Sequence, residues 1–406
     1  MRLNTLETMD RNFTKRIDAD GDGLGTGTVL IITPGGLEGG GGIGRQMGYF
    51  LRANQASQRG LRYRIVDSRG PWYLGASRMH IAGAVIYFTC AALTLVWARL
   101  FSSPCVAHFN ITGRGSTIRK VILVTIARAL GLRYLLHLHD PDYAEYYRSR
   151  GTFLKRLIAT MFHGAAAVVV LGRRDLEFVS QALQLRRDRM IVLHNAVPDP
   201  LPNLNRTPRP GRPCHLLFLG YLGARKGVPD LLRALASPTM KLRHWRATLA
   251  GDGAIGEFRK LADDLGILDR VSFPGWLDQV GVSALCADAD VLVLPSHAEG
   301  MAMSVLEGLS HGLAVVATPV GAHSEVIEPD VSGILVPPGE VAELANALVS
   351  VIEDETLRER LARGARARFL AGFDVRRYAA RLRQLHSALL APPHSRRELV
   401  GKGQIS

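Results

Sequence analysis

The residues best suited to chemistry lie in the segment 290–308, where two glutamates follow a buried apolar strand. The strand ends at Pro295, Glu299 lies in the following loop, and a helix that begins near Met301 carries Glu307. Eight positions separate the two glutamates, slightly more than two helical turns, so both can lie along one side of the helix start. Carboxylates accept hydrogen bonds from sugar hydroxyls, and a helix N-terminus attracts phosphate. One loop could therefore hold a nucleotide diphosphate sugar, and an exposed glutamate pair on a helix is the alternative.

A second candidate is the turn that follows the strand at 215–219. Gly220 and Gly223 let the backbone approach a ligand closely, and Arg225 and Lys226 supply fixed positive charge beside them. This combination suits a diphosphate. A basic surface turn is the alternative.

A glycine-rich loop at 39–44 has the spacing G-x-G-x-x-G between a strand and a helix, and Asp67 ends the next strand. That arrangement is also found in nicotinamide cofactor sites. Here, however, residues 34–38 separate the glycines from the strand, which disfavours a dinucleotide. We expect the loop to offer backbone N–H groups to a phosphate or an acceptor sugar. Its candidate residues are Gly41, Gly42, Gly44 and Arg45.

His137 and His139 lie near the end of another predicted strand. The spacing favours a packed His137 and a His139 that faces a cleft. No further ligands stand at a useful spacing, so no metal site is expected here. The acidic segment 18–23 resembles the start of a calcium loop but lacks its closing glutamate, because the twelfth position is Val29.

Strand and helix patterns alternate along the chain, which predicts parallel sheets covered on both faces. A segment with six prolines, 198–213, interrupts the alternation. The predicted fold class is α/β, with two doubly wound Rossmann-like domains that face a central cleft. The predicted boundaries are a mobile leader 1–27, an acceptor-side domain 28–200, a linker 201–213, a donor-binding domain 214–391 whose last helix can pack back on the first domain, and a mobile tail 392–406.

The length and composition agree with this division. The chain has 406 residues, 47% of them hydrophobic and 21% charged, so it can bury two cores. The net charge is +14, and residues 1–200 hold 26 Lys and Arg against 14 Asp and Glu. Such a basic half suggests an anionic partner, and an acidic membrane surface fits better than nucleic acid, since no basic run is interleaved with aromatic residues. The four cysteines are far apart, and with no secretory signal the expected compartment is the cytoplasm.

The stretch 81–98 contains 18 residues without a charge between Arg78 and Arg99. By length it is just sufficient to span a membrane. A span here would separate the strands before it from those after it. We therefore favour a buried or surface-docked helix and keep bilayer insertion as the alternative.

Taken together, these motifs resemble the retaining glycosyltransferases of family 4, which have the GT-B two-domain fold. Glu299 and Glu307 match the E-x7-E motif of that family, within the stretch PSHAEGMAMSVLEGLSHGLAVVATPVGAHSEVI. The resemblance covers roughly residues 28–390 and is more specific in the second domain. Its other matching segments are 39–45, His139, 194–197, 220–227, 251–253, 273–275 and 332–339.

The resemblance implies a role for each motif. Glu299 would bind the donor sugar, Glu307 the ribose, and Lys226 the leaving diphosphate, with His139 beside the sugar. The arginine usual in the family falls at Tyr221 here, so Arg225 is the candidate to replace its charge. The remaining donor-binding candidates are Gly220, Phe273, Trp276, Gly300, Met301, Ala302 and Met303.

The implied activity is the transfer of a hexose from a UDP- or GDP-sugar to a hydroxyl acceptor, with retention and without a metal or other cofactor. A lipid-linked saccharide of bacterial polysaccharide synthesis is one candidate acceptor. It would place the protein at the inner face of the cytoplasmic membrane, as a peripheral protein in contact with anionic lipid. Two alternatives remain open at this point: a non-catalytic nucleotide-sugar-binding protein and a nicotinamide-dependent oxidoreductase.

Overall fold

The computed structural model describes residues 27–37, 41–55, 60–70, 78–101, 105–200 and 211–391, with side chains from residue 83 onward in the fourth of these ranges. They form two six-stranded parallel sheets, one in each half of the chain. The doubly wound α/β fold predicted from the sequence is thereby confirmed. The predicted leader and tail, Gly39 and most of the predicted linker lie outside the described residues.

The strands belong to the two halves in equal number. The first sheet contains β1 Gly27–Thr33, β2 Leu61–Asp67, β3 Cys105–Ile111, β4 Arg133–Leu138, β5 Ala167–Val170 and β6 Met190–Val192. The second contains β7 Cys214–Leu219, β8 Trp245–Ala250, β9 Val271–Gly275, β10 Val291–Leu294, β11 Ala314–Ala317 and β12 Ile334–Leu335.

Helices connect the strands and cover both faces of each sheet. In the first half they are α1 Gly42–Gln55, α2 Arg78–Phe101, α3 Gly115–Ala129, α4 Tyr143–Arg148, α5 Thr152–His163 and α6 Arg173–Gln181. In the second half they are α7 Val228–Leu235, α8 Pro238–Lys241, α9 Ile255–Asp264, α10 Gln279–Asp288, α11 Met303–Ser310, α12 His323–Val326, α13 Val341–Glu353, α14 Glu355–Gly372 and α15 Val375–Leu390.

The apolar strands are buried on both faces because helices cover both sides of each sheet. In β1, Val29 and Ile31 belong to one core cluster, whereas Leu30 and Ile32 belong to the other. This alternation follows from the two-residue period of a strand. It explains why β1 is a continuous apolar run in the sequence.

The order of the strands determines where a ligand can bind. The first sheet has the order β2-β1-β3-β4-β5-β6, and the second has β12-β11-β10-β7-β8-β9. The order reverses beside β1 in the first sheet and between β7 and β10 in the second. In open parallel sheets, crevices form at the carboxyl ends of the strands at such a reversal. The loops after β1, β7 and β10 are therefore the expected site.

The last helix, α15, returns to the first half of the chain and packs on α1 and β3. The segment that leads into α15 lies beside the segment by which the chain leaves the first half. The N–H of Val197 donates to the carbonyl oxygen of Phe373 at 3.1 Å, and the N–H of Val375 donates to the carbonyl oxygen of Val197 at 3.0 Å. The two crossings between the halves thus lie side by side.

The long apolar helix α2 is the crossover between β2 and β3, which lie on either side of β1. Ala91, Leu95 and Ala98 pack into the core of the first half. Among the described residues, the segment Gly83–Phe101 is long and apolar enough to cross a membrane by length and composition, with a mean hydropathy of 1.8. In this fold it lies along the sheet, because both strands that it joins are in one sheet.

Candidate active site

The centre of the site is an ion pair between the loops that follow β7 and β10. The ammonium group of Lys226 contacts Oε1 of Glu299. The hydroxyl of Ser296 donates to the same oxygen at 3.1 Å. Both partners are largely shielded from solvent. The structure therefore brings together two of the residues proposed for catalysis at the reversal point of the second sheet.

Close backbone contact fixes the relative position of these two loops. Gly227 has a φ of +72°, and a Cβ atom at this position would lie 2.0 Å from the carbonyl oxygen of Pro295. The N–H of His297 donates to the carbonyl oxygen of Arg225 at 2.9 Å. Only glycine satisfies both the left-handed backbone and the close approach. The glycine at the end of the basic turn thus positions the adjacent lysine.

Gly300 brings the Glu299 loop against the first half of the chain. A Cβ atom on Gly300 would lie 3.2 Å from the carbonyl oxygen of His139. On the other side, Gly321 has a φ of +59°, and its Cβ would lie 2.1 Å from the carbonyl oxygen of Glu299. The loop is held between the two halves by contacts that larger residues would block.

Glu307 is buried on the second turn of α11, where two residues of α1 reach it. Nη1 of Arg45 lies 3.3 Å from Oε1 of Glu307, and the hydroxyl of Tyr49 donates to the same oxygen at 3.5 Å. Burial raises the pKa of Glu307, whereas Arg45 and the hydrogen bond from Tyr49 lower it. Arg45, which we predicted in the phosphate or acceptor loop, lies instead at the carboxylate proposed to bind ribose.

The start of α11 offers unsatisfied backbone donors. The helix begins at Met303, two residues later than the sequence pattern indicated, and no side chain caps it. Met301, Ala302 and Met303 are buried. The amide of Asn195 donates to the carbonyl oxygen of Met301 at 3.2 Å. The uncapped N–H groups and the helix dipole make this end favourable for a phosphate.

The glycine loop of the first half approaches the same helix. A Cβ atom on Gly42 would lie 3.9 Å from Cγ of Met303, and one on Gly44 would lie 3.1 Å from the carbonyl oxygen of Gly36. The N–H of Arg45 donates to the carbonyl oxygen of Gly41 at 3.2 Å. The loop thus stands opposite the start of α11.

His139 follows β4 and faces the Glu299 loop through its backbone. Its Nε2 lies 2.8 Å from Oδ1 of Asn110. Burial lowers the pKa of His139 to about 3, so the imidazole is neutral at physiological pH. His139 can therefore exchange hydrogen bonds with a sugar but contributes no charge to a leaving group.

The other basic residue of the turn has a different partner. Nη2 of Arg225 lies 2.9 Å from Oδ2 of Asp142, which belongs to the first half of the chain, and the pair is open to solvent. Tyr221, at the position where the family has an arginine, is 61% exposed. Arg225 thus joins the two halves rather than pairing with Glu299.

The ends of two strands, β7 and β9, complete the donor side of the crevice. A Cβ atom on Gly220 would lie 3.8 Å from Cε of Lys226. The ring of Phe273 is buried, so only its backbone is available to a ligand, whereas Trp276 is exposed. Trp276 can therefore contact a base through its ring, whereas Phe273 can do so only through its backbone.

Comparison with known proteins shows which proteins this chain resembles in sequence and in fold. Residues 203–368 match the sequence profile of the family described as Glycosyl transferases group 1. An alpha-D-kanosaminyltransferase from Streptomyces kanamyceticus is 27% identical over 277 residues, which are 64% of this chain and 70% of that protein. The second half of the chain thus matches the glycosyltransferases of group 1, and the chain has the GT-B fold.

Two further comparisons differ in how much of the chain they cover. A glycogen synthase from Mycobacterium tuberculosis is 35% identical, but the match covers only 45% of this chain and 44% of that enzyme. The structure of Anabaena HepE in complex with UDP-glucose aligns with 89% of this chain and 100% of that chain, with a TM-score of 0.67 and 19% identity. The family profile thus matches the second half, and the similarity in fold extends over both halves.

Sequence reasoning missed a carboxyl group that lies beside Glu299. A small pocket between the two halves is lined by Asp175, Glu299 and Gly300, among other residues. Burial raises the pKa of Asp175 to about 7, although Arg174 opposes the shift. Asp175 follows the end of β5, and its position at a strand end, after Gly172, is the signal that could have found it.

The alternative of a nicotinamide site is not supported. Oδ1 of Asp67 accepts hydrogen bonds from the N–H groups of Gly35, Arg69 and Gly70 at 2.8–3.0 Å. The carboxylate therefore stabilises its own loop and does not face a ribose. The match of residues 203–368 to the glycosyl transferase profile agrees with this outcome.

The contact between Arg45 and Glu307 leads to a testable prediction. Because Arg45 lowers the pKa of Glu307, the substitution Arg45→Gln should raise that pKa further. Where the pKa exceeds the pH, affinity that needs the carboxylate falls about tenfold for each unit of pH. We expect the affinity of the variant for UDP or GDP to fall more steeply than that of the wild type as the pH is lowered from 8 towards 4.5.

The matched control is Arg52→Gln, on the same helix, since Arg52 contacts Gln279 rather than Glu307. Calorimetric titration of the three proteins at several pH values measures the difference. Identical pH profiles for Arg45→Gln and the wild type would contradict the electrostatic role of Arg45.

Proposed function

We propose that this chain transfers a sugar from a nucleotide diphosphate sugar to an acceptor hydroxyl, with retention of the anomeric configuration. The observation that carries the proposal is the pairing of Lys226 with Glu299 at the reversal point of the second sheet. An ammonium group and a carboxylate adjoin there, which suits the phosphate and the hydroxyls of one activated sugar. The HepE structure was determined with UDP-glucose, which supports a donor of that class.

The chemistry follows from these charges. As the bond between the anomeric carbon and the phosphate oxygen breaks, negative charge develops on the diphosphate and positive charge on the sugar ring. Lys226 and the N-terminus of α11 stabilise the diphosphate. Glu299 accepts hydrogen bonds from the sugar hydroxyls and stabilises the positive ring. The acceptor oxygen then bonds to the anomeric carbon on the same face, and its proton passes to the departing phosphate oxygen.

The cationic groups of the chain itself supply the charge that a metal supplies in other transferases. We therefore propose that turnover does not depend on a divalent ion. Product formation should be the same in EDTA as in magnesium. Loss of product in EDTA, with recovery on adding magnesium, would refute this part of the proposal.

A panel of nucleotides tests the donor. A ligand that binds only the folded protein raises its melting temperature, and at 100 times Kd the stabilisation is about 2.7 kcal/mol. We expect UDP or GDP and the matching sugar to stabilise the protein, whereas NAD does not. No shift with any nucleotide diphosphate, together with a shift with NAD, would contradict the proposal.

The second candidate is a non-catalytic binder of nucleotide sugars, and the exposed Tyr221 at the position of the missing arginine favours it. Both candidates predict a thermal shift. They differ in the release of nucleotide diphosphate and the appearance of a glycosylated product. Donor binding without any turnover over many hours with a range of acceptors would favour the binder.

A further inference from the structure

Three adjacent helices of the first half, α2, α3 and α5, present large apolar side chains to solvent. We call this surface the helical face. The helices pack side by side, α2 on α3 and α3 on α5. Its exposed apolar residues are Val85, Ile86, Leu93, Trp97, Leu100, Phe101, Ile118, Ile122 and Phe153.

Helix α2 has two apolar stripes on opposite sides. Ala91, Leu95 and Ala98 form the inner stripe and are buried against the sheet. Leu93, Trp97 and Leu100 are 61%, 52% and 67% exposed. At about 100° per residue, their side chains point away from the inner stripe. A helix on the surface of a soluble domain normally has polar residues in these positions. We therefore expect the outer stripe to contact an apolar partner.

The charges on these helices are of one sign. Their sequences contain seven Lys and Arg residues, of which Lys120 is buried, and no Asp or Glu. The helices α13 and α14 of the second half, by contrast, both carry glutamates. Beside the outer stripe, the guanidinium carbon of Arg64 lies 5.6 Å from the ring centre of Trp97. A surface that combines apolar and aromatic side chains with basic groups is complementary to an anionic lipid interface.

We propose that the helical face docks on the surface of an anionic lipid bilayer, with α2 lying in the plane of the interface. A transmembrane arrangement conflicts with the fold, because β2 and β3, which α2 joins, both pair with β1 in one sheet. The inner stripe stays on the sheet, and the outer stripe enters the boundary between headgroups and acyl chains.

A second copy of the chain suits this surface less well. Two copies joined about a twofold axis would place equivalent patches together. Since the three helices carry basic groups and no acidic ones, the two patches would repel each other. Lipid phosphates provide the opposite charge.

The docking also identifies a class of acceptor, a point that rests on the proposed function. The helices α2 and α3 begin where the chain leaves the carboxyl ends of β2 and β3, which is the crevice end of the sheet. The helical face therefore starts beside the crevice. A lipid-anchored acceptor could place its hydroxyl in the crevice while its acyl chains remain in the bilayer.

Flotation with vesicles tests the docking. We expect the full chain to float with vesicles of phosphatidylglycerol and phosphatidylcholine at low salt, and less with phosphatidylcholine alone. The variant Leu93→Gln/Trp97→Gln/Leu100→Gln should lower the bound fraction at least tenfold. The matched control is Leu242→Gln/Val280→Gln, which removes two residues of the second half that are 86% and 77% exposed, and should float like the wild type.

Each opposite result would overturn the proposal. These are a wild-type chain that stays unbound at low salt, a triple variant that floats normally, and a lipid-free dimer that the triple variant dissociates in sedimentation. All of the altered side chains are exposed, so the variants should keep the circular dichroism of the wild type. Flotation needs no donor, so its failure leaves nucleotide binding and transfer to soluble acceptors unaffected, whereas failure of the proposed function appears in those two assays alone.

Discussion

Replacing Lys226 with alanine is expected to reduce kcat about 100- to 1,000-fold, with a much smaller change in donor affinity. The charge on the leaving diphosphate develops mainly in the transition state, and removing one well-placed donor from such a position typically costs this much. Lys226 is the cation that contacts Glu299 in the crevice. Initial rates of nucleotide diphosphate release at saturating donor measure the effect.

The matched control is Arg225→Ala, one residue earlier. Because Arg225 pairs with Asp142 in the open part of the crevice, its loss should reduce kcat less than tenfold. The alanine variant also leaves Glu299 without its cation. Lys226→Gln should therefore be measured too, because glutamine keeps a hydrogen-bond donor next to Glu299. Equal losses for Arg225→Ala and Lys226→Ala would show that the charge is shared, and a normal kcat in Lys226→Gln would refute the role of Lys226.

Acid is expected to unfold the protein steeply, because three histidines of the first half, His108, His137 and His139, are packed together with His386 of α15. Nδ1 of His108 lies 3.1 Å from Nε2 of His386, the rings of His108 and His137 stack, and the ring centres of His137 and His139 are 4.1 Å apart. Burial lowers the pKa of His139 and of His386 to about 3, and those of the other two well below 6.5.

The sign of the effect follows from proton linkage. Above pH 6.5 the histidines are neutral in both states, and their contribution to stability is complete. As the pH falls from 6.5 towards 3, only the unfolded chain binds the protons. Each such proton costs about 1.4 kcal/mol of unfolding free energy per pH unit, so four of them cost roughly 5 kcal/mol per unit. Domains are typically stable by about 5–15 kcal/mol, so we expect unfolding within about two units below pH 6.5.

Thermal melts between pH 8 and pH 4 measure this slope. The variant His108→Asn/His386→Asn replaces the central pair together and should make the slope shallower by about half. His163→Gln serves as the control, since His163 is exposed at the end of α5. A variant slope as steep as that of the wild type would show that other groups cause the acid sensitivity.

Much of the fold could be predicted because it depends on local pattern. Continuous apolar runs such as 28–33 and 290–294 indicate strands buried on both faces, and they occur as β1 and β10. Since functional loops follow such strands, the sequence also predicted that Lys226 and Glu299 lie on neighbouring loops. Their contact depends on Gly227, which lets the basic turn approach the carbonyl oxygen of Pro295, and the motif alone does not show this approach.

The contacts between the two halves could not be predicted. Arg45 and Glu307 are 262 positions apart, and their pairing depends on how the halves pack. His386 lies 278 positions from His108 and reaches it because α15 crosses back. For the same reason Asp175 was overlooked, since its pKa is raised mainly by the burial that this packing creates. The polarity of the crevice is thus a property of the packing of the two halves.

The paired crossings at Val197 and Phe373–Val375 have a mechanical consequence. Two parallel connections joined by backbone hydrogen bonds resist twisting of one half against the other and allow rotation about a single axis. Opening and closing would then be a swing along one path. Each closing motion would bring Arg45 back to Glu307 and Arg225 back to Asp142 in the same relative positions. The site would therefore not have to reassemble from random orientations after each exchange of substrate.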